Sequence, residues 1–156
     1  MGEVKRETIE KLVVSVVLVV SFCFGYKVGY SSCGIAAYTT FWGHLVYSFC
    51  HVNVWHLLAN IVCLWMLRCR LELLCAWLIA VVCSFLPCFV GEPTMGFSGM
   101  LFAIVGMSWG RVRRFREMLK KNILFLFIPL LIPHVNGLLH VYCMIGGYLF
   151  YRYCRR

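Results

Sequence analysis

The sequence predicts an all-α, multi-pass membrane protein, six transmembrane helices in one bundle with both termini cytoplasmic. Three observations lead there. Hydrophobic residues fill 62% of the 156 positions, and mean hydropathy is +0.84. A soluble domain of that size could not bury so much apolar surface, so lipid must cover part of it. Apolar runs recur along the whole chain, at 12–30, 47–67, 71–90, 97–110, 119–133 and 136–153. Basic residues gather in alternate connections, as the positive-inside rule requires. Residues 1–156 read as a single membrane domain, with 1–11 as a short cytoplasmic tail.

Lys5, Arg6 and Lys11 precede the first run, and no A-x-A-like cleavage site follows it, so an uncleaved helix is expected. The second run enters from the outer side, carries His51, His56 and Asn60, and ends inside at Arg68 and Arg70. The third returns outward to the loop VGEPTMG, which lacks basic residues. The fourth opens on Ser98 in its first turn and is followed by Arg111, Arg113, Arg114, Arg116, Lys120 and Lys121. The sixth places His140 about one turn in and ends at Arg152, Arg155 and Arg156. The fourth and fifth runs fall short of the ~20 residues a spanning helix needs. Their loops should therefore dip below the surface, which is tolerated only beside protein or a water-filled cavity. The net charge of +9 follows this inside-outside alternation, so nucleic acid is not an expected partner.

Ten cysteines lie mostly within apolar runs, where the thiol acts as a small hydrophobe. There is no C-x-x-C pair, so neither a zinc ribbon nor a redox motif is expected. Cys33 and Cys88 both fall near outer loops and form a candidate disulfide. No H-E-x-x-H occurs, and on one helix His51 and His56 would stand about 140° apart. Neither a metal nor a cofactor is expected.

Polar side chains inside a span are costly and point to function. A lone intramembrane serine ordinarily bonds to its own backbone, and a lone histidine or asparagine ordinarily pairs across helices. Here the runs opening on the outer side bring Ser98, His140, His56 and Asn60 to similar depths, the parts needed for serine acyl transfer. Ser98 would be the nucleophile and His140 its base. The chain contains no aspartate, which rules out a Ser-His-Asp triad and leaves a dyad. His56 and Asn60 lie about 40° apart on one helical face and can offer side-chain N–H groups to an oxyanion. Gly96 and Gly99 permit a tight turn into the helix, and Phe102 lies one turn below Ser98, in reach of the imidazole. Gly99 and Gly106 share one stripe and His140 and Gly147 another, so the fourth and sixth helices can approach closely.

Over residues 41–153 these motifs resemble the rhomboid family of intramembrane serine proteases. FCHVNVWHLLAN resembles the family's H-x4-H-x3-N segment, PTMGFSGMLFAIVG its G-x-S-G segment, and VNGLLHVYCMIGGY its histidine-bearing sixth helix. The resemblance implies a rhomboid-like six-helix fold with Ser98 as nucleophile, His140 as base, and His56 and Asn60 as oxyanion donors. His51, Gly96, Gly99, Phe102 and Gly147 would support them. Glu72 falls where many members carry a glutamate after the second helix. Departures are Cys143 in place of a close-packing glycine, and Trp42-Gly43 in place of the usual W-R pair of the first outer loop. His134, also followed by a glycine three residues on, competes for the base but lies in a loop and lacks the glycine at +7.

The activity implied is endoproteolysis of transmembrane proteins near the extracytoplasmic face, with membrane lipid as the other partner. Two alternatives compete. One is a rhomboid-like protein that binds or escorts membrane proteins without cutting them. The other is a small channel or transporter, which would need polar residues across the whole membrane rather than in one half. The absence of further domains suits a bacterial cytoplasmic membrane.

Overall fold

The structure, a computed structural model, describes residues 2–28, 33–36, 39–67, 69, 71–87, 93–112 and 135–154. Among these the chain is all-helical, with six α-helices, a short 3-10 turn and one isolated β-bridge. The helices are α1 (Gly2–Val28), α2 (Phe41–Val46), α3 (Val54–Met66), α4 (Leu73–Cys83), α5 (Ser98–Gly110) and α6 (Gly137–Cys154); the turn is Tyr47–Phe49. The fifth apolar run, His134, Cys88 and most of the basic cluster after Val112 lie outside the described residues. One described helix is long and apolar enough to cross a membrane, at Lys5–Gly25, and the bent pair Phe41–Phe49 and Val54–Met66 is a second candidate.

The segment expected as a short cytoplasmic tail, residues 1–11, is helical from Gly2 as part of α1. Local charge pairing explains the helix. Arg6 meets Glu10 at 2.9 Å and Glu7 meets Lys11 at 2.7 Å, both at i, i+4 spacing, each worth about 0.2–0.5 kcal/mol to a helix. Lys11 is buried, and its ammonium also donates to the carbonyl of Leu67, the C-cap of α3, where a helix dipole favours a cation. One turn on, Trp65 Nε1 donates to Ser15 Oγ at 3.1 Å. α1 thus fastens to α3 through polar contacts at one end, and much of its apolar surface (Leu12, Val13, Val16, Val20, Phe24) faces outward.

The second apolar run does not form one helix. Asn53 caps α3 by accepting from the His56 N–H at 2.8 Å, and the preceding Phe41–Phe49 segment meets α3 at 70°. A side-chain cap of this kind is worth about 1 kcal/mol and starts the helix at a defined residue. His51 therefore lies in the bend, outside the helix, and the 140° separation expected on a continuous helix does not apply.

α5 and α6 form the centre. A Cβ on Gly106 would sit 2.0 Å from the Met144 carbonyl oxygen, and one on Gly147 would sit 2.1 Å from the Ala103 carbonyl oxygen. The two backbones touch there, so neither position has room for a side chain. Gly146 faces Ile79 and Cys83 of α4, which closes a three-helix core with Ala76, Ala80, Ala103 and Cys143 fully buried. Gly99 has a different role from the rest of its stripe. Its missing Cβ would meet the Tyr47 hydroxyl at 3.1 Å and Cys143 Sγ at 3.5 Å. The cysteine that departs from the family pattern thus fits because a glycine stands opposite it on α5.

At the far end of the core, Glu72 adopts φ 37° and ψ 50° as N-cap of α4, a left-handed conformation costly for a non-glycine residue. Its carboxylate is held by Arg111, the C-cap of α5, at 2.5 Å. The same guanidinium lies 5.0 Å from the ring centroid of Tyr151 on α6, a distance at which a cation is attracted to an aromatic face. One arginine joins three helices at the end of the bundle opposite Ser98.

Candidate active site

Ser98 is the first residue of α5, and the four residues before it are each fixed by a different part of the fold. Thr94 exchanges two backbone bonds with Ile35, at 2.9 and 2.8 Å. Met95 is buried against Gly34. The Gly96 N–H donates to the Tyr47 carbonyl at 2.9 Å, and the Phe97 N–H donates to His51 Nε2 at 3.4 Å. That last bond requires the lone pair of His51 to be on Nε2. Tyr47 is itself anchored through its hydroxyl to the Ala80 carbonyl at 3.0 Å.

Gly96 has φ +135°, and a Cβ there would lie 2.5 Å from His56 Cε1. Glycine is required twice over, by the backbone conformation and by the imidazole resting on it. The His56 ring therefore lies against the turn that delivers Ser98. The His51 ring meets the His56 ring edge-on at 5.3 Å. Asn60, one turn further along α3, is buried, and its Nδ2 donates to the His56 carbonyl at 2.9 Å. His56 thus touches Gly96, His51 and Asn53, and Asn60 bonds to His56.

His140 enters from α6. Its Nε2 lies 2.8 Å from Ser98 Oγ. Phe102, one turn along α5 from Ser98, stacks on the imidazole with centroids 4.5 Å apart and planes 9° from parallel. Among the described residues, Nδ1 of His140 meets no hydrogen-bond partner, so the ring is oriented by stacking on one side and the serine on the other. Replacing Phe102 with alanine should free the ring to rotate.

The start of α5 adds amide donors. The first helical bond runs from the Leu101 N–H to the Phe97 carbonyl. The amides of Ser98, Gly99 and Met100 thus have no carbonyl within their own helix. They lie at the positive end of the helix dipole, suited to a developing oxyanion.

Sequence reasoning missed a second serine–histidine contact. His44 Nδ1 lies 2.8 Å from Ser84 Oγ, and the His44 ring stacks on Phe85 at 4.0 Å. Nothing in the spacing of residues 44 and 84 announces it. It also missed Asn136, which caps α6 and bonds to Thr94. The Asn-Gly before an apolar run was a readable helix-start signal there. No three or more histidine, cysteine or acidic side chains gather as a metal site among the described residues.

No curated protein matches the chain. The family model described as Rhomboid domain matches residues 38–150, which takes in α2 through most of α6 and every candidate site residue. The chain belongs to the rhomboid family, and is accordingly an integral membrane protein.

Proposed function

We propose that the chain is an intramembrane serine endopeptidase that hydrolyses peptide bonds in or beside transmembrane segments of other membrane proteins, near the extracytoplasmic face. The observation that carries this reading is the 2.8 Å contact between Ser98 Oγ and His140 Nε2 under the stacked ring of Phe102. Family membership supports it, because rhomboid proteins are generally proteases of this kind. The topology proposed with it is one membrane domain of six crossings with both termini cytoplasmic, in a bacterial cytoplasmic membrane.

His140 accepts the hydroxyl proton as Ser98 Oγ bonds to the substrate carbonyl carbon. Negative charge moves to the carbonyl oxygen, where the first amides of α5 and the His56 and Asn60 side chains stabilise it. One such donor is worth about 2.7–4 kcal/mol in a preorganised site. The tetrahedral species collapses as the imidazolium protonates the leaving amine, releasing the first product and leaving an acyl ester on Ser98. Water, deprotonated by His140, hydrolyses that ester and restores both side chains. With no aspartate in the chain, the imidazolium has no carboxylate of that type to lean on, and the Phe102 stack takes over ring orientation.

A substrate helix has to unwind locally to present its peptide bond, so glycine, alanine or serine near the cleavage point should speed cutting. The test is direct. The chain, reconstituted in liposomes with a transmembrane substrate, is treated with a serine-directed fluorophosphonate. Labelling at Ser98 that inhibits cleavage in parallel is expected. A chain that neither labels nor cleaves any of several transmembrane substrates would be a binding protein instead.

A further inference from the structure

Asn136 stands immediately before α6 and makes two side-chain bonds at once. Its Oδ1 accepts from the Leu139 N–H at 3.1 Å, capping the helix that carries His140. Its Nδ2 donates to Thr94 Oγ1 at 2.9 Å. The side chain is buried, and its backbone carbonyl accepts from the His140 N–H at 3.3 Å. Thr94 precedes Ser98 by four residues, and Asn136 precedes His140 by four. The Asn136–Thr94 bond and the Ser98–His140 contact are therefore matched rungs between the same two strands of chain.

The close backbone contact of α5 with α6 lies on the other side of the dyad, at Gly106 and Gly147. It is two helical turns away, roughly 10–12 Å at 1.5 Å per residue. The Gly99–Cys143 and Phe102–His140 contacts lie toward that side too. Contacts on one side alone leave the two helix mouths able to splay or swing, and a bond on the far side of the dyad removes that freedom. Thr94 is a firm anchor for it, since both of its backbone groups are already bonded to Ile35.

We infer that Asn136 and Thr94 form a positioning pair for the proposed reaction: the Nδ2–Oγ1 bond sets the approach of Ser98 Oγ to His140 Nε2 without touching the substrate. The inference rests on the Ser98–His140 reading of the site. Displacing a catalytic group by about 1 Å can cost a hundredfold in rate, so loss of a clamp this close should be read in kcat.

Capping and clamping can be separated because different atoms perform them. Thr94→Val removes only the hydroxyl, keeping the shape, the backbone bridge and the Asn136 cap. Thr94→Ser keeps the hydroxyl. Asn136→Ser can still cap α6 but is too short to reach Thr94. In liposomes, Thr94→Val should lower kcat about tenfold with KM changed by less than about twofold and the melting temperature lowered modestly by the lost bond. Thr94→Ser should restore kcat to within about twofold of the original chain, and Thr94→Val combined with Asn136→Ser should cost no more than the worse single change. A merely structural bond would instead leave kcat of the folded protein unchanged, whatever it did to the melting temperature. Unaltered kcat in Thr94→Val, or losses that multiply in the double variant, would overturn the positioning role. Cleavage that survives Ser98→Ala would overturn the underlying reading, and the positioning role with it. Cleavage that needs Ser98 but ignores the Thr94 hydroxyl removes the positioning role alone.

Discussion

Ser98→Ala should abolish the proposed cleavage, a loss of at least about a thousandfold in kcat, whereas Ser84→Ala should leave turnover within about twofold. Among the described residues, two serine–histidine contacts have the same length, 2.8 Å, so distance alone cannot separate them. The direction of the proton can. Ser84 Oγ donates its one hydrogen to the Val81 carbonyl at 2.6 Å. Toward His44 it can only accept, so His44 Nδ1 is the donor and cannot serve as base. Ser84 is also fully buried and is the C-cap of α4, where exposed carbonyls repel a developing oxyanion. Ser98 is the reverse in each respect. It is partly exposed, it starts a helix, and its contact with His140 Nε2 leaves the hydroxyl proton free to pass to the imidazole. Ser84→Ala should cost about 1 kcal/mol of stability from the lost buried bonds. Gel-based cleavage and fluorophosphonate labelling of both variants make the comparison. Persistent labelling in Ser98→Ala with loss in Ser84→Ala would move the nucleophile to α4.

What the sequence made legible was geometry that depends on short spacing. His140 with Gly147, Ser98 with Phe102, and His56 with Asn60 each sit within two turns of one helix, where period fixes the shared face. The all-helical class followed from the apolar runs for the same reason. Tertiary bends and long-range caps were not legible. The 70° turn before α3 depends on Asn53 capping His56, and its consequence, a buried His51 holding the Phe97 amide, joins residues 46 apart. The α1 extension through residues 2–11 required weighing i, i+4 charge pairs against an apparently polar tail. Gly99 shows the same limit from another side. Its stripe was readable, but the neighbour it makes room for, Cys143 rather than the α6 backbone, was not.

Gly147→Val should be the most disruptive single change to the fold. The nearest atom to the added Cβ would be the Ala103 carbonyl oxygen at 2.1 Å, followed by the Ala103 carbonyl carbon and the Met107 nitrogen at 3.0 Å. All are backbone atoms inside α5, so no rotamer change can clear them. α5 and α6 would have to part, and their separation would strip contacts from Ala103, Ile104, Met107 and Met144, all nearly inaccessible to solvent. Overpacking of a tight core costs about 1–3 kcal/mol even where side chains can move, and here they cannot, so the loss should reach or exceed the top of that range. Gly99→Ala is the control, since its neighbours are the ends of the Tyr47 and Cys143 side chains at 3.1 and 3.5 Å. It should cost less than about 1.5 kcal/mol. Thermal unfolding in detergent micelles reads both: a large fall in midpoint for Gly147→Val and a small one for Gly99→Ala. Parting of the helices also pulls His140 from Ser98, so any folded Gly147→Val protein should cleave poorly. A Gly147→Val protein with an unchanged melting midpoint would mean the helices do not meet at this glycine, and the geometry of the dyad would have to be rebuilt from another contact.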